Sequence, residues 1–197
     1  MTARLQAAYK TLAVRLGIED GASQIVEFAV SLPLLAVFVV GIFDFSGAFT
    51  LKQKLTNAAR EGARAAAAGP ANDLTNATTP TGVPASVTDA FWVVDNYLNS
   101  EQINDCGLSS APFTRSRLAW TYSATGNGCP GNGVKLTIDR GCVTQSVGAT
   151  TVNIIATCVT LKYSYKWKFN SVITLLVPAT YRGITDLSAS AAALNEN

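Results

Sequence analysis

Sixteen consecutive residues, 28–43, carry no charge, and Asp44 is the only charged residue before Phe49. A helix over the 22 residues 28–49 rises about 33 Å, enough to cross a hydrocarbon core of about 30 Å. The apolar run is longer than the roughly 7–15-residue core of a secretory signal and starts late. Residues 45–49 offer only a weak cleavage pattern. A membrane-spanning helix is therefore the first expectation, and the rest of the chain must be arranged around it. Charged residues make up 14% of the chain, against about 25% in ordinary soluble domains.

Basic residues alone do not orient the span. Arg4, Lys10 and Arg15 precede it, and Lys52, Lys54, Arg60 and Arg64 follow it closely. A domain-sized segment translocates largely regardless of such charges. The cysteines are more telling. Cys106, Cys129, Cys142 and Cys158 all lie beyond the span, and none forms a C-x-x-C pair. An even count on one side of a membrane reads as two disulfides in an oxidising compartment. Pairing Cys106 with Cys129 and Cys142 with Cys158 closes the smallest loops. That reading puts the N-terminus inside and residues 70–197 outside the cytoplasm.

Three regions follow. Residues 1–22 form a basic leader or cytoplasmic segment, in which Leu5, Tyr9, Leu12 and Leu16 permit a short amphipathic helix. Residues 23–69 form the membrane helix and a stalk. LTNAAREGARAAAA over residues 55–68 is rich in strong helix formers. Leu51, Leu55, Ala58, Gly62 and Ala65 give it a narrow seam of mostly small residues, which lets another element approach closely. Pro33 removes one backbone donor inside the span, and Gly69-Pro70 ends the helix.

Residues 70–197 form an extracytoplasmic α+β domain. Residues 72–87 read as a loop, and Thr88 is the expected cap of a helix carrying Phe91, Val94 and Leu98 on one face. Strand-like runs follow at residues 118–122, 134–139, 152–169 (expected to be broken or bent), 172–177 and, more weakly, 184–190. The fold class is thus α+β: a long N-terminal transmembrane helix extending into a stalk, packed on a small antiparallel sheet with disulfides.

Most enzymatic routes are closed. The chain has no histidine, which removes the usual general base and the His-activated nucleophiles. No catalytic residue, cofactor site or metal set emerges, and no small-molecule substrate. Fifteen basic against thirteen acidic residues leave a net charge of +2, too little for nucleic-acid binding by counterion release. GNGCPG at residues 126–131 satisfies G-x-G-x-x-G, but a strand-like run follows it rather than a helix, so it reads as a disulfide-bearing hairpin loop. Tyr163, Tyr165, Trp167 and Phe169 alternate with Lys162, Ser164, Lys166 and Lys168, as in a half-buried strand with lysines on its solvent face. Asn76-Ala77-Thr78 matches a glycosylation pattern too short to carry weight.

Glu27 stands at the mouth of the apolar run, between Val26 and Phe28. It either marks the membrane interface or is a carboxylate kept for a cationic partner, because a lone buried carboxylate is costly. Asp44 is expected near the far headgroups.

GASQIVEFAVSLPLLAVFVVGIFDFSGAF followed by LTNAAREGARAAAAG resembles the TadE-like family, minor pilin-like (pseudopilin) proteins of tight-adherence pilus assembly. Glu27, Pro33, Asp44, Ala59, Arg60, Glu61, Gly62 and Ala63 stand at the family's characteristic positions. The resemblance covers residues 21–69; CVTLKYSYKWKF and ITDLSASAAALNEN are more weakly similar to the family's closing strands. It implies a structural, non-enzymatic subunit of a tight-adherence (type IVb-like) pilus or a related secretion apparatus, held in the bacterial inner membrane or incorporated in a pilus. Pro33, Asp44, Arg60, Glu61 and Gly62 would serve helix packing with other pilin or pseudopilin subunits.

The resemblance further implies that a prepilin peptidase cuts the leader near Gly21, Ala22 and Ser23. Cutting after Gly21 makes Glu27 the sixth mature residue; cutting after Ala22 makes it the fifth. By analogy with type IV pilins, Glu27 would then neutralise the new N-terminal amine of a neighbouring subunit. The competing reading is a permanently anchored surface-binding protein or adhesin, with residues 163–169 contributing to recognition.

Overall fold

The structure is a computed structural model that describes residues 18–70, 72–74, 82–143, 155–169 and 183–195. A single helix, α1 (Ile18–Ala68), runs 51 residues, through Pro33, without interruption. At 1.5 Å per residue it is about 77 Å long. Helical backbone is already present at Ile18, ahead of the expected start at Ser23, so Gly21, Ala22 and Ser23 lie within it. A second helix, α2 (Ala85–Ser100), and a 3-10 turn (Leu108–Ser110) precede five strands. These are β1 (Phe113–Ser116), β2 (Ala119–Ala124), β3 (Val134–Val143), β4 (Ile155–Lys166) and β5 (Ile184–Leu194). The strands lie in sequence order and every neighbouring pair is antiparallel. A long apolar helix with an antiparallel sheet makes the chain α+β, as the sequence predicted.

The alternation of each strand sorts its side chains. Trp120 and Tyr122, Val134, Leu136 and Ile138, Val159, Leu161 and Tyr163, and Ala189 face inward and are buried. They meet Leu55, Ala58, Ala59, Ala63 and Ala66 of α1, and Val87, Ala90, Phe91, Val94 and Leu98 of α2. The far face of the sheet is polar. Thr114, Thr121, Thr137, Thr160 and Ser190 pair successively across all five strands, with Thr121 and Thr137 hydroxyls 3.0 Å apart.

The seam of small residues is what lets α1 lie against both neighbours. A Cβ on Gly62 would stand 2.6 Å from Val94 Cγ2 and 3.6 Å from Val159 Cγ1, so side-chain-free backbone is required where α1 meets α2 and β4. The stalk is therefore no free-standing rod. Its apolar seam is the core of the domain, and Lys54 pairs with Glu101 at 3.0 Å to fasten it to the end of α2.

Two disulfides close the domain. Cys106–Cys129 joins the turn after α2 to the β2–β3 loop, and Cys142–Cys158 joins β3 to β4. The β2–β3 loop contains the GNGCPG run; its last turn needs Gly133, whose φ of 65° and closeness to the Ala124 oxygen leave no space for a Cβ.

Several expectations are corrected. Thr88 is not the cap of α2; the helix starts at Ala85 behind Pro84, and Thr88 Oγ1 donates back to the Pro84 carbonyl. The free N-terminal donor at Ser86 is met instead by Asp73 Oδ2 at 2.8 Å, an acceptor supplied by the preceding loop. β1 was not foreseen. β4 ends at Lys166, so residues 167–169 leave the sheet. Ser164 is buried on the face opposite the aromatics, its hydroxyl donating to Asp186 Oδ1 at 2.6 Å. The expected amphipathic leader helix, the 76–78 pattern and the 172–177 strand lie outside the described residues.

Candidate assembly and membrane-insertion helix

The two halves of α1 have opposite surroundings. Ile25, Phe28, Val30, Leu34, Leu35, Phe38, Ile42 and Phe43 are each more than 60% exposed, whereas Leu55, Ala58, Ala59, Ala63 and Ala66 are buried. Among the described residues, one helix is long and apolar enough to cross a membrane, and its most apolar window has no buried residue. An apolar surface of this extent needs a partner other than water.

Glu27 lies on that bare half, exposed, and no ion pair engages it among the described residues. Pro33 is exposed too. Val37, Phe38, Gly41, Ile42, Phe45, Ser46 and Phe49 line a shallow apolar groove, with open space where Gly41 lacks a side chain.

Asp44 is engaged by the distant end of β4. It is 2% exposed, and its carboxylate accepts the backbone N–H of Lys168 at 2.9 Å and of Phe169 at 3.1 Å. The Tyr165 hydroxyl lies 3.5 Å from the Asp44 carbonyl oxygen. Burial, then the Asp44 carboxylate, hold that hydroxyl's pKa above its usual range. Gly47 permits the approach, since a Cβ there would be 2.9 Å from the same hydroxyl. The end of β4 is thereby pinned to α1 about 26 Å along the helix from Glu27.

Arg60 and Glu61 point to solvent, and Glu61 pairs with Arg64 at 3.1 Å. Gly62 is buried between α2 and β4. The structure thus groups Asp44 and Gly62 on the inward side of α1 and leaves Glu27, Pro33, Arg60 and Glu61 outward.

Arg140 closes the far end of the same helix. α1 has no basic residue in its last turn, yet its terminal carbonyls need donors and favour a cation. Arg140, fully buried, donates from Nη1 to the Ala66 carbonyl and to Thr157 Oγ1, and from Nη2 to Gly69 O at 3.2 Å. Burial lowers its pKa, opposed by Asp73. Sequence reading did not single it out, although the inward register Val134, Leu136, Ile138, Arg140 was there to be counted.

Residues 22–64 match the family described as TadE-like protein. The resemblance read from the sequence is borne out over that stretch, which runs from the bare half of α1 into the packed half and takes in Glu27, Asp44 and Gly62. None of the curated proteins or solved structures compared with the chain matches it.

Proposed function

We propose that the protein is a minor pilin-like structural component of a tight-adherence pilus or a related secretion apparatus. It is inserted by the bare half of α1 and assembled with other pilin or pseudopilin subunits through that helix. The observation that carries this reading is the division of α1: residues 28–43 are uncharged and largely uncovered, while the continuation of the same helix is the core of a folded domain. A rigid head fixed to one projecting helix can leave the bilayer for a helix bundle without rebuilding the head. The match over residues 22–64 supports the pilin-like assignment. In this reading the head lies outside the cytoplasm, consistent with its two disulfides.

Glu27 is the assembly carboxylate. A prepilin peptidase cutting near Gly21, Ala22 and Ser23 creates a cationic amine that a neighbouring subunit's Glu27 neutralises, and burial of the pair favours one helix register. The deciding experiment is co-expression with the cognate peptidase, followed by intact mass and N-terminal sequencing. A mature terminus at Ala22 or Ser23 supports the scheme. An intact Met1 terminus, with the peptidase active on a control substrate, removes the amine pairing and favours the permanently anchored adhesin.

A further inference from the structure

We propose that the end of β4, through Lys166, Trp167, Lys168 and Phe169, rests on the headgroup layer of the bilayer that α1 crosses, with the two lysines engaging anionic lipid phosphates. This rests on the membrane-spanning reading of α1 and adds a second contact with the bilayer, made by the sheet.

The argument is one of depth. From Phe28 to Phe43 the uncharged run rises about 24 Å, most of a hydrocarbon core of about 30 Å. The next residue, Asp44, therefore falls at the boundary. Its carboxylate holds the backbone N–H groups of Lys168 and Phe169, so these two residues share its level along the helix. The sheet cannot stand off from the membrane without breaking those bonds.

The composition at that level fits an interface. Tyr165 and Trp167 pack edge to face with centroids 5.2 Å apart, and the indole N–H of Trp167 donates to Thr185 Oγ1 at 2.9 Å. Phe169 is 38% exposed, Ile184 41%, and Phe45 and Phe49 of α1 are 67% and 54% exposed. Aromatic rings with a satisfied polar tip concentrate at headgroup depth. Lys166 and Lys168 are exposed and form no ion pair among the described residues. Lysines so placed keep the ammonium in the polar layer and are drawn to anionic lipid. Two acids of the adjoining elements are already engaged, Asp44 by the two amides and Asp186 by the Ser164 hydroxyl.

The test uses the full chain in phosphatidylcholine vesicles with and without phosphatidylglycerol, carrying lipids brominated either near the headgroup or near the chain end. Of the three tryptophans, Trp120 is fully buried and Trp92 is exposed on α2, so W92F leaves the half-buried Trp167 as the reporter that lipid can reach. Strong quenching by the headgroup-proximal bromines in W92F, and its loss in W167F, is expected. In K166E/K168E the extra quenching gained with phosphatidylglycerol is expected to vanish. Flotation and carbonate extraction report insertion separately. A chain that stays inserted while W92F is not quenched, or while W167F is quenched equally, overturns the second contact but leaves the span intact. Unchanged lipid dependence in K166E/K168E overturns the lysine–phosphate contact. A chain that does not remain with the vesicles overturns both this inference and the inserted helix.

Discussion

Asp44 and Phe169, 125 residues apart in the chain, meet through a 3.1 Å hydrogen bond from the Phe169 amide to the Asp44 carboxylate. With the parallel bond from Lys168, it fixes where along α1 the sheet sits. Hydrogen bonds to a charged acceptor are worth about 1.5–3 kcal/mol, and orphaning buried donors costs more than losing both partners. Asp44→Ala should destabilise the domain by about 2–3 kcal/mol in urea titrations in detergent. Hydrogen exchange should accelerate at the Lys168 and Phe169 amides first.

Gly62 should tolerate nothing larger. With Val94 Cγ2 2.6 Å from the added methyl, Gly62→Ala should cost about 1–3 kcal/mol, the range for overpacking. Alanine also favours helix intrinsically, so a loss would isolate the packing effect. Removing the obstacle in G62A/V94A should recover much of it, giving a coupling energy measurable in a double-mutant cycle.

Arg140→Met removes the side-chain donor to the Gly69 carbonyl and one of the two donors to the Ala66 carbonyl, which keeps the Gly69 N–H at 3.2 Å. A loss of about 2–4 kcal/mol is expected. Arg140→Lys, which keeps the charge but not the planar fork, should fall between. Thermal unfolding of the three proteins orders them.

Asp95 gives the domain a pH dependence. It is 3% exposed, and its Oδ1 has no hydrogen-bond partner among the described residues. Burial, then the Asp105 carboxylate, raise its pKa above the ordinary 3.8. Tyr163 from β4 is likewise raised, by burial and then by the same Asp105. A raised folded-state value means that this contribution to stability is complete below 3.8 and is lost as pH rises through the folded value. Asp95→Asn mimics the neutral acid, so its stability advantage over the parent should be greatest near neutrality and shrink on acidification. Urea midpoints of both proteins across that range check the sign.

Much of this architecture was legible locally. The absence of charge over residues 28–43 marks the bare helix whatever surrounds it, and alternation located β2 through β5. β1 escaped because its four residues, FTRS, put Arg115 on the inward register, where the guanidinium lies 5.2 Å from the Trp120 ring centroid. Thr88 misled as a cap because the acceptor for α2 comes from Asp73, thirteen residues before Ser86. The burial of Asp44 was not legible because Phe43 and Phe45 flank it, whereas its hydrogen-bond partners are more than 120 residues away.

The sequence by itself determined that one helix is apolar enough for a bilayer, that it continues as a seam of small residues, and that a sheet follows. Those are properties of short-range pattern: charge, side-chain size and period. Only the tertiary structure decided that the seam is the core of the chain's own domain, that Arg140 closes α1, and that Asp44 pins β4 at the end of the apolar span. A buried charge is stable only where distant backbone supplies its partners, and which backbone arrives is settled by the packing of the whole domain.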